Sequence, residues 1–218
     1  MSSYLKCISP IDGSIYTERP LMEKASAFAA VKRAKQAQRA WAARPLDERV
    51  AIIRDAVEHI GEMNDDIIPE LAWQMGRPVR YGGEFGGFNE RASYMADIAA
   101  QALAPITIED SDSFTRYIRR VPHGVVLVIA PWNYPYMTAI NTVAPALIAG
   151  NAVMLKHASQ TPLVGERLAQ AFHAAGIPED VFQNVFLGHD VTAELIAAKS
   201  FGFVNFTGSV SGGRHIET

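Results

Sequence analysis

The sequence has one cysteine, little net charge and no histidine cluster. Cys7 alone allows neither an intrachain disulfide nor a cysteine-rich metal site, which suits a reducing cytoplasm. His173, His189 and His215 show no metal-ligand spacing, so we expect no metal site. The 20 basic and 23 acidic residues leave a net charge of −3, which favours neither a nucleic-acid nor a membrane partner.

Long apolar runs are also absent, although residues 121–155 contain no Lys, Arg, Asp or Glu. Prolines, asparagines and a glycine divide this stretch, and no piece approaches the roughly 20 apolar residues of a membrane span. The residues from Met1 to Cys7 lack the apolar core of a signal peptide. We therefore expect residues 121–155 to form a protein core.

Residues 1–104 are predicted to be mostly helical. An alanine-rich helix over 25–43 ends before Pro45, and Asp47 is the expected N-cap of the next helix. Apolar residues at helical spacing predict a third helix around 68–75. A fourth helix is expected over 84–103, because Pro105 stops it.

Residues 105–121 predict a projecting β-hairpin arm. Two segments of alternating polar and β-prone residues, 106–108 and 114–121, flank an acidic turn of Ser and Asp. Such an arm has unpaired strand edges, so we expect it to promote self-association.

Residues 122–218 alternate between strand and helix. Strands are predicted at Val125–Ala130, Ala152–Lys156, Phe182–Leu187 and Gly202–Thr207. Thr161 and Pro162 are the expected N-cap and first residue of one intervening helix, which Gly176 terminates. This alternation predicts an α/β fold with a Rossmann-like parallel sheet and flanking helices.

The turn after the first of these strands is a candidate functional site. Pro131 ends the strand because it has no N–H to donate, which puts Trp132 and Asn133 just past its carboxyl end. Open α/β sheets bind their ligands at this edge. The Asn133 amide can donate a hydrogen bond to an oxygen that becomes negative during a reaction. Taken alone, these residues fit an ordinary tight turn equally well.

Four motifs that follow one another along the chain indicate a function more specifically. They are Pro131-Trp132-Asn133-Tyr134-Pro135, Pro145-Ala146-Leu147-Ile148-Ala149-Gly150-Asn151, Lys156-His157-Ala158-Ser159-Gln160-Thr161-Pro162, and Phe206-Thr207-Gly208-Ser209 with Gly213. Together they resemble the N-terminal half of the NAD(P)-dependent aldehyde dehydrogenases, succinate-semialdehyde dehydrogenase-like members included. The resemblance runs from about residue 10 to the last residue. It implies a Rossmann-like cofactor domain, oxidation of an aldehyde to a carboxylic acid, and a homodimer or homotetramer.

The resemblance also assigns cofactor-binding positions, although the sequence has no Gly-x-Gly-x-x-Gly fingerprint. Lys156 resembles the residue that holds the adenosine ribose, and Gly188 resembles a glycine of a later loop. The stretch from Gly188 to Phe206 is shorter than in similar members, so no contacts are carried over for His189 to Ala193. Two further groups of residues resemble cofactor-binding positions of the family. The first resembles the wall beside the cofactor and comprises Ile129, Ala130, Pro131 and Trp132. The second resembles the strand-to-helix turn that is suited to the pyrophosphate, and it comprises Phe206, Gly208, Ser209 and Gly213.

Ser159 bears on the choice between NAD and NADP. Many NAD-preferring members have a glutamate at this place, whose carboxylate would repel the 2′-phosphate of NADP. Ser159 removes that repulsion and Lys156 supplies positive charge, so NADP is favoured while NAD stays open. His157 replaces a proline of similar members, and we expect it either to reshape the loop or to touch the phosphate.

The family's cysteine nucleophile, which forms a thiohemiacetal, and its general base correspond to sequence beyond the Gly208–Gly213 turn. Cys7 matches neither, so Asn133 is the one catalytic residue expected here. We therefore expect a chain truncated before the catalytic domain and inactive alone. Two alternatives stay open: a stand-alone nucleotide-binding module and a non-catalytic structural relative. Lys156, Gly208 and Asn133 argue against the second, and a cofactor titration tests the first.

Overall fold

The chain begins with an antiparallel hairpin that the sequence analysis did not predict. The computed structural model describes residues 4–217, and in it β1 (Tyr4–Ile8) pairs with β2 (Ile15–Pro20). Gly13 occupies the turn with a φ of +75°, where residues with a Cβ are disfavoured. Asp12 stabilises the turn because its Oδ1 accepts hydrogen bonds from the N–H and the hydroxyl of Ser14.

Four helices follow, as predicted: α1 (Lys24–Ala43), α2 (Leu46–Glu62), α3 (Asn64–Met75) and, after a short 3₁₀ turn (Val79–Tyr81), α4 (Phe85–Leu103). The prediction that Asp47 caps the second helix is wrong. Pro45 is the N-cap, and Asp47 lies in the first turn, where a negative charge still favours the helix dipole. The third helix starts earlier than its apolar stripe and includes Pro69.

The predicted arm is confirmed as an antiparallel hairpin of β3 (Ile106–Asp110) and β4 (Thr115–Ile118). The second strand ends at Ile118, before the predicted boundary at Val121. Both faces of the arm are largely solvent-exposed. Its exposed large apolar side chains are Ile106, Ile108, Phe114, Tyr117, Ile118 and Val121.

The predicted parallel sheet is confirmed. It contains β5 (Val125–Ile129), β6 (Ala152–Lys156), β7 (Phe182–Asn184) and β8 (Phe203–Phe206), in the order β7-β6-β5-β8. The connecting helices are α5 (Pro135–Ile148), α6 (Pro162–Ala174) and α7 (His189–Ala197), and α8 (Val210–Glu217) follows the last strand. Thr161 precedes α6 and Gly176 follows it, as predicted.

Three of the four strands are shorter than predicted: β5 ends one residue early, β8 is shorter by one residue at each end, and β7 ends three residues early. The segment expected over 182–187 keeps its ladder only to Val185, whose N–H bonds to the carbonyl of Leu155. The Phe186 carbonyl instead accepts from the N–H of Met22, before α1, so the chain leaves the sheet there. This partner is distant in sequence, and local propensity contains no information about it.

The sheet is covered on both faces, because alternate residues of its central strands point to opposite sides. Val126 and Val128 face a core built mainly by α2, α4, α5 and α6. Val125 and Leu127 face a smaller core built by α1 and α7. None of the helices between residues 4 and 217 is both long and apolar enough to cross a membrane.

Candidate functional site

A cleft of about 740 Å³ lies at the carboxyl ends of β5, β6 and β8. The chain passes from β5 to β6 on one side, and β8 lies on the other side of β5. This is the switch point of the topology, where open parallel sheets bind ligands. The volume is within the range of roughly 300–1,000 Å³ that small-molecule sites occupy.

The cleft brings together nearly all of the residues that the sequence analysis selected. Those that line it are Ile129, Ala130, Pro131, Trp132, Asn133, Lys156, Ser159, Gly188, Phe206, Gly208 and Ser209. Gly213 is not part of the lining, and it lies beside the ring of Phe206 instead. The selected positions other than Gly213 therefore belong to one surface.

Among residues 4–217, Lys156 is the one lysine or arginine that lines the cleft, and no aspartate or glutamate of this range lines it. Burial lowers the pKa of the Lys156 ammonium, and no neighbouring acid counteracts this effect. A half-buried cation without an anionic partner is poorly solvated, so an anionic ligand would stabilise it. The electrostatics of the cleft thus favour a phosphate-bearing ligand.

His157 shapes the loop after β6 from inside. Its side chain is buried, and its Nδ1 lies 3.0 Å from the N–H of Ala158 and 3.1 Å from the Thr161 hydroxyl. Its Nε2 lies 3.4 Å from the carbonyl of Pro135. Burial lowers its pKa to about 4, so it is neutral at neutral pH. Of the two expectations for His157, the structure favours loop shaping, since both ring nitrogens already face protein atoms.

Ser159, by contrast, is exposed on this loop. In the part of the chain that the structure describes, no acidic side chain lines the cleft with it. A ligand phosphate at this position would therefore meet a hydroxyl group and no carboxylate.

The turn from β8 into α8 presents a helix N-terminus at the cleft. Phe206, Gly208 and Ser209 form this turn. A Cβ on Gly208 would lie 2.6 Å from Cζ of Phe206, so a larger residue there would have to displace the Phe206 ring. The Ser209 hydroxyl accepts from the N–H of Gly212 at 3.1 Å and so caps the helix. Other N–H groups of this first turn have no partner within the helix and can bind an anion.

Several lining residues were missed by sequence reasoning. They are Leu5, Leu21, Ala158, Leu187, His189 and Thr207. His157, for which contact with the phosphate was one of two expectations, also lines the cleft. Leu5 and Leu21 come from the unpredicted hairpin and the linker after it. The alternation within residues 4–8 and the turn residues Pro10 and Gly13 were the available signals for that hairpin. His189 reaches the cleft because it is the first residue of α7, which begins at the same sheet edge.

Asn133 lies on the exposed turn between β5 and α5. Its side chain has no hydrogen-bond partner within residues 4–217, so the carboxamide is free to donate to a ligand. The next residue, Tyr134, has a φ of 49° and a ψ of 54°, the left-handed conformation that non-glycine residues rarely adopt. Strained residues of this kind cluster at functional sites.

A second cavity of about 600 Å³ lies beside the same turn. Tyr134 lines it together with Arg77, Tyr81, Glu84 and Met137. The Asn133–Tyr134 turn thus separates two spaces, with Asn133 lining the first cavity and Tyr134 the second. None of these four partners was selected from the sequence, because none lies at a strand end.

Cys7 is fully buried in β1 and lines neither cavity. Its Sγ lies 3.1 Å from the carbonyl of Gln160, and burial raises the pKa of its thiol. A buried thiol with a raised pKa is a weak nucleophile. No group of three or more His, Cys, Asp or Glu in the described part of the chain is arranged to hold a metal ion.

Comparisons with known proteins give a consistent result. The model of the aldehyde dehydrogenase family matches residues 1–218. The chain is 33% identical to the succinate-semialdehyde dehydrogenase (NADP+) of Deinococcus radiodurans and 36% identical to the benzaldehyde dehydrogenase (NAD+) of Pseudomonas putida. Each alignment covers 96% of this chain but only 44% and 43% of the two relatives.

Solved structures agree. The succinic semialdehyde dehydrogenase from Streptococcus pyogenes, in complex with NADP+, superimposes with a TM-score of 0.87 at 27% identity. The NADP-dependent glyceraldehyde-3-phosphate dehydrogenase from Bacillus halodurans, complexed with NADP, gives 0.90 at 28% identity. Both matches cover 99% of this chain and 47% of the solved one, so the chain spans less than half the length of these relatives.

Proposed function

Because the chain belongs to the aldehyde dehydrogenase family, we propose that its cleft holds NAD(P)+ and that it serves as the cofactor-binding half of an enzyme that oxidises aldehydes to carboxylic acids. The observation that carries this proposal is the lining of the cleft. It combines one half-buried lysine, no carboxylate and the N-terminus of α8 at the carboxyl edge of a parallel sheet. This combination suits a ligand with several phosphates.

The residues divide the work by position. The turn of Phe206, Gly208 and Ser209 offers backbone N–H groups to the pyrophosphate, and Lys156 pairs with the adenosine ribose or its phosphate. The apolar wall excludes water from one side of the cleft; it comprises Ile129, Ala130, Pro131 and Trp132. When bound, the nicotinamide ring supplies the acceptor for a hydride. Asn133 donates a hydrogen bond to the aldehyde oxygen as its negative charge develops.

NADP is the favoured cofactor of this site. Exposed Ser159 offers a hydroxyl where a carboxylate would repel a 2′-phosphate, and Lys156 adds a positive charge to the same edge. NAD is accepted if its ribose hydroxyls bind the same two groups. A relative that binds NADP+ and another named for NAD+ are consistent with either choice.

The assembly is part of the proposal. The exposed apolar side chains of the β3–β4 arm, among them Ile108 and Tyr117, fit an interface in a homodimer or homotetramer. Sedimentation of the chain should show self-association that weakens when Ile108 is replaced by lysine. If the lysine variant associates as strongly as the wild type, the arm is not part of the interface.

A titration tests cofactor binding. We expect calorimetry to detect NADP+ binding to the chain, and Lys156→Ala to weaken it by about 1.5–3 kcal/mol, since a charge-assisted contact is lost. Lys35→Ala is the matched control, because Lys35 is an exposed lysine on α1. Equal affinities for the wild type, Lys156→Ala and Lys35→Ala would contradict the assignment of Lys156.

Aldehyde turnover tests the catalytic half of the proposal. The cysteine nucleophile and the general base are proposed to come from residues outside 1–218, so the chain alone should oxidise no aldehyde. Absorbance at the NADPH band measures this directly. Turnover that disappears in Cys7→Ala would show that Cys7 is a nucleophile after all.

A further inference from the structure

Helix α5 lacks a cap of its own at the end that carries Asn133. Its N-cap residue, Tyr134, makes no capping hydrogen bond with its side chain, and its first residue is Pro135, which has no N–H. The N–H of Met137, the third residue, is bound by Glu84 from outside the helix, whose Oε2 lies 3.0 Å away. The cap of α5 thus comes from the residue that precedes α4.

Glu84 is also connected to the other side of the same turn. Its Oε1 lies 2.9 Å from Nη1 of Arg77, and the Glu84 side chain is 1% exposed. The guanidinium carbon of Arg77 lies 5.2 Å from the ring centroid of Tyr134. Glu84 therefore holds the backbone after Tyr134, and through Arg77 it also holds the ring of Tyr134.

This double contact explains how a strained residue persists. The left-handed conformation of Tyr134 costs energy and is kept only where the surroundings impose it. Burial raises the pKa of Glu84, and the Arg77 guanidinium 2.9 Å away opposes this shift by favouring the charged carboxylate. If either residue were lost, Tyr134 could relax, and the direction of the adjacent Asn133 carboxamide would change with it.

We infer that Glu84 and Arg77 are positioning residues, which fix the direction of the Asn133 carboxamide through the backbone and the ring of Tyr134. The catalytic meaning of this inference rests on the proposed function, because that function assigns Asn133 to the aldehyde oxygen. The geometric content concerns the turn alone. Supporting groups of this kind set the precision of functional sites.

The test is the NMR signature of Asn133 in the ¹⁵N-labelled chain. Its side-chain amide cross-peaks are identified by their loss in Asn133→Asp. We expect both cross-peaks to move in Glu84→Gln, which keeps an oxygen for the N–H of Met137 but loses the ion pair. Arg77→Met should also move them, and Arg77→Lys should move them less, because a cation is restored without the flat guanidinium.

Glu90→Gln is the matched control, since Glu90 is an exposed glutamate on the same helix, α4. It should leave the Asn133 cross-peaks in place. The backbone amides of β6 report whether each variant is folded. Unmoved Asn133 cross-peaks in folded Arg77→Met and folded Glu84→Gln would overturn the inference. If Glu84→Gln does not fold, the comparison of Arg77→Met with Arg77→Lys decides.

The outcome is separable from that of the proposed function. Titration with NADP+ tests the cleft, whereas the Asn133 cross-peaks are measured without cofactor. A chain that binds no NADP+ but shows the expected displacements would refute the proposed function and support the positioning role. A chain that binds NADP+ without these displacements would support the proposed function and refute the positioning role.

Discussion

The two cavities beside the Asn133–Tyr134 turn differ in how the positively charged side chain of each is paired. In the first, Lys156 is half-buried and no acid compensates it. In the second, Arg77 is 13% exposed and paired with the nearly inaccessible Glu84. Burial still raises the pKa of Glu84, so Arg77 offsets only part of the cost of burying that carboxylate, whereas Lys156 has no such partner and would be stabilised by an anionic ligand. The comparison therefore supports the proposals that the first cavity binds a ligand and that the wall of the second supports the turn.

The largest effect should come from breaking the compensated pair. Glu84→Ala leaves Arg77 without its partner and the N–H of Met137 without an acceptor, which should cost about 3–5 kcal/mol of the free energy of unfolding. Urea denaturation measures the loss. Glu90→Ala, at an exposed position of the same helix, should cost little. Similar losses in the two variants would mean that the pair contributes no special stability.

An effect of similar size is expected from pH at the loop of the first cavity. Burial lowers the pKa of His157 from 6.5 to about 4, while the unfolded chain keeps the ordinary value. As the pH falls from 6.5 towards 4, the unfolded chain gains a proton that the folded chain does not bind. The free energy of unfolding should therefore fall by about 3 kcal/mol across this window.

His157→Asn is the control for this titration, because asparagine keeps a polar side chain but does not ionise. Denaturation of both proteins should show the variant losing less stability over the same pH window. If both curves fall in parallel, other groups cause the pH dependence and His157 is not buried in solution as it is in the structure.

The smallest expected effect is on cofactor affinity, and it tests whether the first cavity binds a 2′-phosphate beside Ser159. Ser159→Glu places a carboxylate where a 2′-phosphate is proposed to lie. Because Ser159 is exposed, the repulsion should be about 1–2 kcal/mol, or roughly tenfold in the ratio of NADP to NAD affinity. Ser159→Gln is the control, because glutamine has nearly the same size as glutamate but carries no charge. If calorimetry gives the same ratio of NADP to NAD affinity for Ser159→Glu and Ser159→Gln, the loop that carries Ser159 does not contact the 2′-phosphate.

Much of the architecture could be predicted from the sequence because its signals are local. The strands at 125–130 and 152–156 are short apolar runs bounded by Pro131 and Gly150, and their period and punctuation stand in the chain itself. Asn133 and Lys156 follow directly from those strands, since parallel strands place their carboxyl ends at one edge. The motif resemblance then added Ser159 and the turn at Gly208.

The residues that were missed depend on contacts distant in sequence. Leu5 and Leu21 reach the cleft only because the N-terminal hairpin packs beside it. The third strand of the sheet ends early because the Phe186 carbonyl binds the N–H of Met22. No window of local sequence contains both partners of such contacts, so neither propensity nor periodicity could predict them.

The sequence by itself determined the parallel sheet, the edge where a ligand is proposed to bind, and the position of Lys156 at that edge, because strand period and strand ends are properties of consecutive residues. Tertiary structure decided which charges are compensated. Glu84 and Arg77 were not selected from the sequence, and only the packing of α4 against α5 buries the Glu84 carboxylate beside the N-terminus of α5. Burial and pairing arise from the whole fold, and they distinguish a charge that binds a ligand from one that supports the site.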